Sequence, residues 1–85
     1  MPVNFSKSNL INTFKRSLKI SRKFNENSKI NDFKNWDSLG NFNILLEIEK
    51  TFEIKFTSKE FTTLNSFKDI YNNVNRKKIT KQKTK

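Results

Sequence analysis

The sequence predicts an all-α domain of four helices, three longer and a short third, with a long loop between helices 1 and 2. Three observations predict it. Apolar side chains recur at helical spacing in successive segments. Two helix starts carry capping-box spacing, Thr57 with Glu60 and Ser66 with Asp69. No segment shows the strict alternation of a half-buried strand, and there is no internal repeat.

In the first helix Leu10, Ile11, Phe14 and Leu18 recur at helical spacing, with Lys15, Arg16 and Lys19 between them. It is expected to start near Ser6 or Ser8 and to end around Ile20. Residues 21–36 are rich in turn formers: Ser21, Asn25, Asn27, Ser28, Asn31 and Asp32. Connections this long are functional or disordered. Ile20, Phe24, Ile30, Phe33 and Trp36 predict an ordered one, pinned to the core. The second helix runs from Ser38 to about Thr51, with Phe52 packing at its end. The third is short, near Thr57 to Thr63. In the fourth, Phe67, Ile70, Tyr71 and Val74 follow i, i+3, i+4, i+7. From there the chain turns polar and basic, which reads as a fraying, solvated tail.

Composition narrows the chemistry. The chain has 85 residues, enough for one small domain. A domain this size buries only about 60–65% of its unfolded surface, so a few large side chains must form its core. Nine Phe supply much of it, each well-buried one contributing roughly 1.5–3 kcal/mol. With no cysteine, disulfides, thiolate metal sites and cysteine nucleophiles are excluded. The absence of histidine removes the commonest general base and metal ligand. No metal site is expected. Met1-Pro2-Val3-Asn4-Phe5 lacks the apolar core of a secretory leader, and no apolar run approaches the ~20 residues of a membrane span. These features lead to the expectation of a cytoplasmic protein.

The net charge of +10 invites a nucleic-acid or anionic-membrane reading, but its distribution weakens that. Residues 1–36 hold eight basic and two acidic side chains, residues 37–74 four and six, and residues 75–85 six and none. The charge sits on the flanks, and the middle is slightly acidic.

The second helix carries more apolar residues than one core face needs. At 100° per residue, Ile44, Leu45, Ile48 and Phe52 fall within one arc. Leu39, Phe42 and Leu46 fall roughly opposite, bordered by Glu49, Asn43 and Lys50. Either the 21–36 loop covers this second stripe or a partner does. Asp37-Ser38-Leu39 opens the helix. Ser38 either caps it or presents its hydroxyl at the helix's positive end.

The run Trp36-Asp37-Ser38-Leu39-Gly40-Asn41-Phe42-Asn43-Ile44-Leu45-Leu46-Glu47-Ile48-Glu49-Lys50-Thr51-Phe52 resembles the acyl carrier proteins, the phosphopantetheine-binding carrier family. The likeness continues through Thr57-Ser58-Lys59-Glu60 and Leu64-Asn65-Ser66-Phe67-Lys68-Asp69-Ile70, and covers about residues 5–75. It implies a four-helix bundle of acyl-carrier type over 1–75, with a basic, disordered tail over 76–85. Ser38 would receive 4′-phosphopantetheine from a phosphopantetheinyl transferase that uses coenzyme A. Asp37 and Leu39 would complete the cofactor-binding motif, with Asp37 read by the transferase. The terminal thiol of the arm would hold an acyl or aminoacyl group as a thioester, handed between loading and transferring enzymes in lipid or secondary-metabolite biosynthesis. Leu39, Phe42 and Leu46 would form the docking stripe, with Glu47 and Glu49 as an acidic rim. The protein would be a monomeric carrier rather than an enzyme.

The departures qualify this. Asn43, Lys50 and Thr51 stand where the family often places acids, and Trp36 where it often places Gly. Electrostatic steering by basic partners would be weak or reversed, so the resemblance implies a specialised carrier rather than a housekeeping one. Two other readings stand beside it. One is a basic helical module that binds nucleic acid, motivated by the tail and first helix, although most aromatic residues lie at core spacing rather than free for stacking. The other is a carrier-like bundle that is never modified. An enzyme fits least, because nothing pairs the nearby acids Asp32, Asp37, Glu47 and Glu49 with a nucleophile or ligand set.

Overall fold

The computed structural model describes residues 4–20 and 23–83, with side chains through Lys78. Met1, Pro2 and Val3, Ser21 among the turn formers, and the Thr84-Lys85 end of the tail lie outside the described residues. Among the described residues there are four helices and no strand, so the fold is all-α: α1 (Lys7–Leu18), α2 (Ser38–Phe52), α3 (Ser58–Thr63) and α4 (Phe67–Lys83). No helix among them is long and apolar enough to cross a membrane. The radius of gyration, 12.3 Å, is close to the roughly 12 Å of a compact chain of this length.

Local sequence explains the helix ends. The Ser6 side chain caps α1 by accepting from Asn9 N. Thr57 and Glu60 form a complete capping box on α3, and Ser66 Oγ accepts from Asp69 N at the start of α4. Helices α1 and α2 end alike. Lys19 (φ 58°) and Glu53 (φ 57°) take the left-handed conformation. The next residues, Ile20 and Ile54, donate N–H back to Lys15 O and Glu49 O and bury their side chains. The hydrophobic contact that accompanies such a stop holds each chain reversal on the core.

The core is aromatic and draws on the long loop. Phe14 of α1 packs its ring 5.1 Å from Phe24 and 5.1 Å from Trp36, both loop residues, and 5.5 Å from Phe67 of α4. Trp36 is fully buried. The loop backbone is tied down as well. Ile30 N donates to Asn65 O (2.8 Å) and Phe67 N to Ser28 O (3.0 Å), a short bridge to the α3–α4 connection. Asn35 Nδ2 donates to Leu18 O at the end of α1 (2.9 Å). The ordered loop expected from its apolar residues is what the structure contains.

The fourth helix corrects the sequence reading. It does not fray after Val74 but runs to Lys83, through much of the expected disordered tail. Two half-buried lysines turn inward along it. Lys77 Nζ reaches both carboxylate oxygens of Glu60 (2.9 and 3.0 Å), and Lys78 Nζ donates to Phe52 O at the end of α2 (3.0 Å). A cation on the last carbonyls of a helix complements its dipole. The sequence shows these lysines only as part of a charge run, because both partners lie far back along the chain.

Candidate functional site

The N-terminus of α2 separates the two roles left open for Ser38. The cap is Asp37, whose Oδ1 accepts from Gly40 N at 2.8 Å. Ser38 is the first residue of the helix and is exposed. No hydrogen bond among the described residues engages its hydroxyl. Asp37 therefore does the capping and leaves the serine oxygen free in solvent, beside first-turn N–H groups that favour an anion.

What holds this turn in place is buried beneath it. Trp36 Nε1 donates to Asn41 Oδ1 (2.9 Å), and Asn41 Nδ2 donates to Leu64 O (2.7 Å). Asn41 is 5% exposed, so both bonds form away from water, where losing a partner is costly. The relay joins the loop, α2 and the end of α3 directly under Ser38. Gly40 fixes the approach from the other side. A Cβ there would overlap the backbone carbonyl of Asn35, and Asp37 Oδ1 would be only 3.3 Å away. The chain's single glycine thus stands where loop backbone crosses helix backbone.

The two arcs of α2 behave differently. Ile44, Leu45, Ile48 and Phe52 are fully buried, whereas Leu39 is 69% exposed, Phe42 46% and Leu46 40%. The loop does not cover the second stripe. Phe42 is nonetheless partly engaged, its ring lying 5.1 Å from that of Phe61 on α3. A groove of about 490 Å³ opens beside this ring pair, lined also by Ser38, Asn41, Thr62, Asn65 and the loop residue Ile30.

The expected acidic rim is more committed than the sequence suggests. Glu49 Oε2 accepts from Phe56 N (2.8 Å), which holds the α2–α3 connection against the helix. Glu47 Oε2 accepts from Thr51 Oγ1 (3.4 Å) and lies 4.0 Å from Arg16. Both are half-buried, while Lys50 on the same face is exposed.

Glu60 is the most perturbed carboxylate of the described residues. Burial alone would raise its pKa. Hydrogen bonds from Asn73 Nδ2 (3.0 Å), Thr57 N (2.8 Å) and Lys77 outweigh this and hold the carboxyl down at about 2.

Sequence reasoning brought together Asp37, Ser38, Leu39, Phe42 and Leu46, and each of them is exposed. It missed Asn41, Phe61 and Gly40. A polar residue inside the core arc of α2 is a signal that could have found Asn41. Phe61 had none, because its neighbours come from another helix. Comparison with known proteins found no matching family model, curated protein or solved structure.

Proposed function

We propose that this protein is a carrier that holds an acyl or aminoacyl group as a thioester on a 4′-phosphopantetheine arm attached to Ser38. In this reading its four helices are a bundle of the acyl-carrier type. The observation that carries it is the condition of Ser38: exposed, relieved of capping by Asp37, and adjoined by the exposed stripe Leu39, Phe42 and Leu46.

The residues suit such a group. A phosphodiester on Ser38 would lie at a helix N-terminus, where each exposed negative charge gains roughly 0.3–1 kcal/mol from the dipole and free N–H groups. When attached, the arm supplies the thiol that the chain itself lacks. The protein's own side chains then have three tasks. Asp37 holds the first turn so that Ser38 faces the transferase. Trp36 and Asn41 keep that turn rigid. The stripe offers apolar area to partner enzymes. With Glu47 and Glu49 already engaged and Lys50 exposed, docking relies on apolar contact more than on attraction to a basic partner. Such a carrier works in the cytoplasm, in a pathway with a few dedicated enzymes, and performs no catalysis itself.

Expression with a promiscuous phosphopantetheinyl transferase and coenzyme A tests this. Intact-mass spectrometry should show one added phosphopantetheine, absent in Ser38→Ala. No gain, or a gain that survives Ser38→Ala, rejects the carrier reading. The first of these outcomes would favour the unmodified interaction module.

A further inference from the structure

Helix α3 has no fully buried residue. None of Ser58–Thr63 is buried, yet burial of an apolar face is what normally fixes a helix in a protein, and six residues are too few to stand alone. Half-buried Phe61 is its one apolar contact with the core, and Asn41 holds its far end through Leu64 O, so the placement of its first turn draws on polar contacts as well. At its first turn, Glu60 is gripped from α4 by Asn73 Nδ2 (3.0 Å) and by Lys77 Nζ on both oxygens (2.9 and 3.0 Å). The Glu60 and Lys77 side chains are only 22% and 25% exposed, so solvent and salt screen this pair far less than a surface one. Lys77 Nζ also lies 5.7 Å from the ring centroid of Phe56, in the segment that leads into α3. Asn73 grips Glu60 although its own Oδ1 is left buried without a hydrogen-bond partner.

The residue after Glu60 is Phe61. Its ring lies 5.1 Å from Phe42 and 5.9 Å from Phe56, and it forms the α3 wall of the groove beside Ser38. Whatever positions Glu60 therefore positions that wall.

We infer that the clamp formed by Asn73 and Lys77 on Glu60 sets the position of the α3 wall of the groove beside Ser38, making Lys77 a positioning residue that determines how large an apolar acyl group can lie along the Phe42–Phe61 pair. The position of the wall is a property of the chain alone. Its effect on cargo rests on the carrier reading above.

The test has two arms on the full chain. The first uses the unmodified protein and compares wild type, Lys77→Met, Lys77→Arg and Glu60→Gln by NMR. In Lys77→Met and Glu60→Gln the Phe42–Phe61 ring contacts should weaken. Amide exchange at Phe61–Thr63 should rise about tenfold or more, with Ile44 and Ile48 unchanged, and Lys77→Arg should restore most of the protection. Unchanged ring contacts and exchange in both neutral variants overturn the clamp. A uniform rise that includes Ile44 and Ile48 also overturns it, by showing global rather than local loosening. The second arm loads Ser38 with phosphopantetheine thioesters of increasing acyl length and follows their hydrolysis by mass. The length at which hydrolysis slows should differ between wild type and Lys77→Met, and an identical length dependence overturns the role in cargo size. Failure to load Ser38 refutes the carrier reading and the cargo half with it, while the first arm still decides whether the clamp sets the wall.

Discussion

The long loop and α3 both border the Ser38 groove, and their anchoring is the reverse of what their secondary structure suggests. The loop is irregular, yet it places Phe24 and Trp36 in the core and bonds its backbone to the α3–α4 connection. Helix α3 is regular, yet none of its residues is fully buried, and its contacts are half-buried Phe61, the Asn41 bond at its end and the gripped Glu60 carboxylate. Regular hydrogen bonding fixes a segment's shape. Burial and long-range contacts fix its place. Beside the Ser38 groove, α2 rests on a fully buried arc, whereas α3 adds to Phe61 the polar grip on Glu60.

Breaking the loop's anchor should have the largest effect. Trp36→Ala removes a fully buried ring and orphans Asn41 Oδ1. Losses of about 3–5 kcal/mol are usual for such truncations, comparable to the whole stability of a small domain. Urea denaturation should show little or no folded protein. A variant that unfolds at the wild-type midpoint would mean that the loop is not core.

Gly40→Ala comes next, and its sign is diagnostic. Within a helix this change ordinarily gains about 0.5–1 kcal/mol. Here the new methyl group would overlap the Asn35 carbonyl, so a loss of about 1–3 kcal/mol is expected, in the range of an overpacked site. Stabilisation in a thermal melt would show that the loop can yield.

The clamp on α3 should break with acid. Because the Glu60 carboxyl is held at about 2 in the folded protein against 4.5 for the free group, its contribution is fully present above pH 4.5. It is lost as pH falls towards 2. The linked free energy is on the order of 2–3 kcal/mol. Between pH 5 and pH 2, wild type should lose more stability than Glu60→Gln, with α3 amides losing protection first. Parallel pH profiles for the two proteins would contradict this.

The smallest effect on folding belongs to the exposed stripe. Leu39→Asp should change stability by less than about 0.5 kcal/mol, as for other surface substitutions, because Leu39 is 69% exposed. The proposed carrier role predicts that it slows modification of Ser38 by the transferase. A large stability loss would place Leu39 inside the fold.

The candidate site was legible in the sequence to different depths. The Asp37-Ser38-Leu39 motif, the capping box at Thr57 and the two arcs of α2 all depend on residues within a turn or two of one another, so spacing alone reveals them. The groove was not legible, since Phe42 and Phe61 meet only when α3 folds back beside α2. The end of α4 was misread for a related reason. Lys77 and Lys78 sit in a run of charge that favours solvation unless distant partners exist, and Glu60 and Phe52 O are such partners.

By itself the sequence determined four helices, most of their ends, an aromatic core and a second helix with two apolar faces, because periodicity and capping act over short stretches of chain. Only the tertiary structure decided that the second face stays exposed, and that Lys77 and Lys78, beyond Val74, reach Glu60 of α3 and the last turn of α2. Each of those outcomes depends on which groups, remote in the chain, arrive to cover or bond a given atom, and no local pattern encodes that arrival.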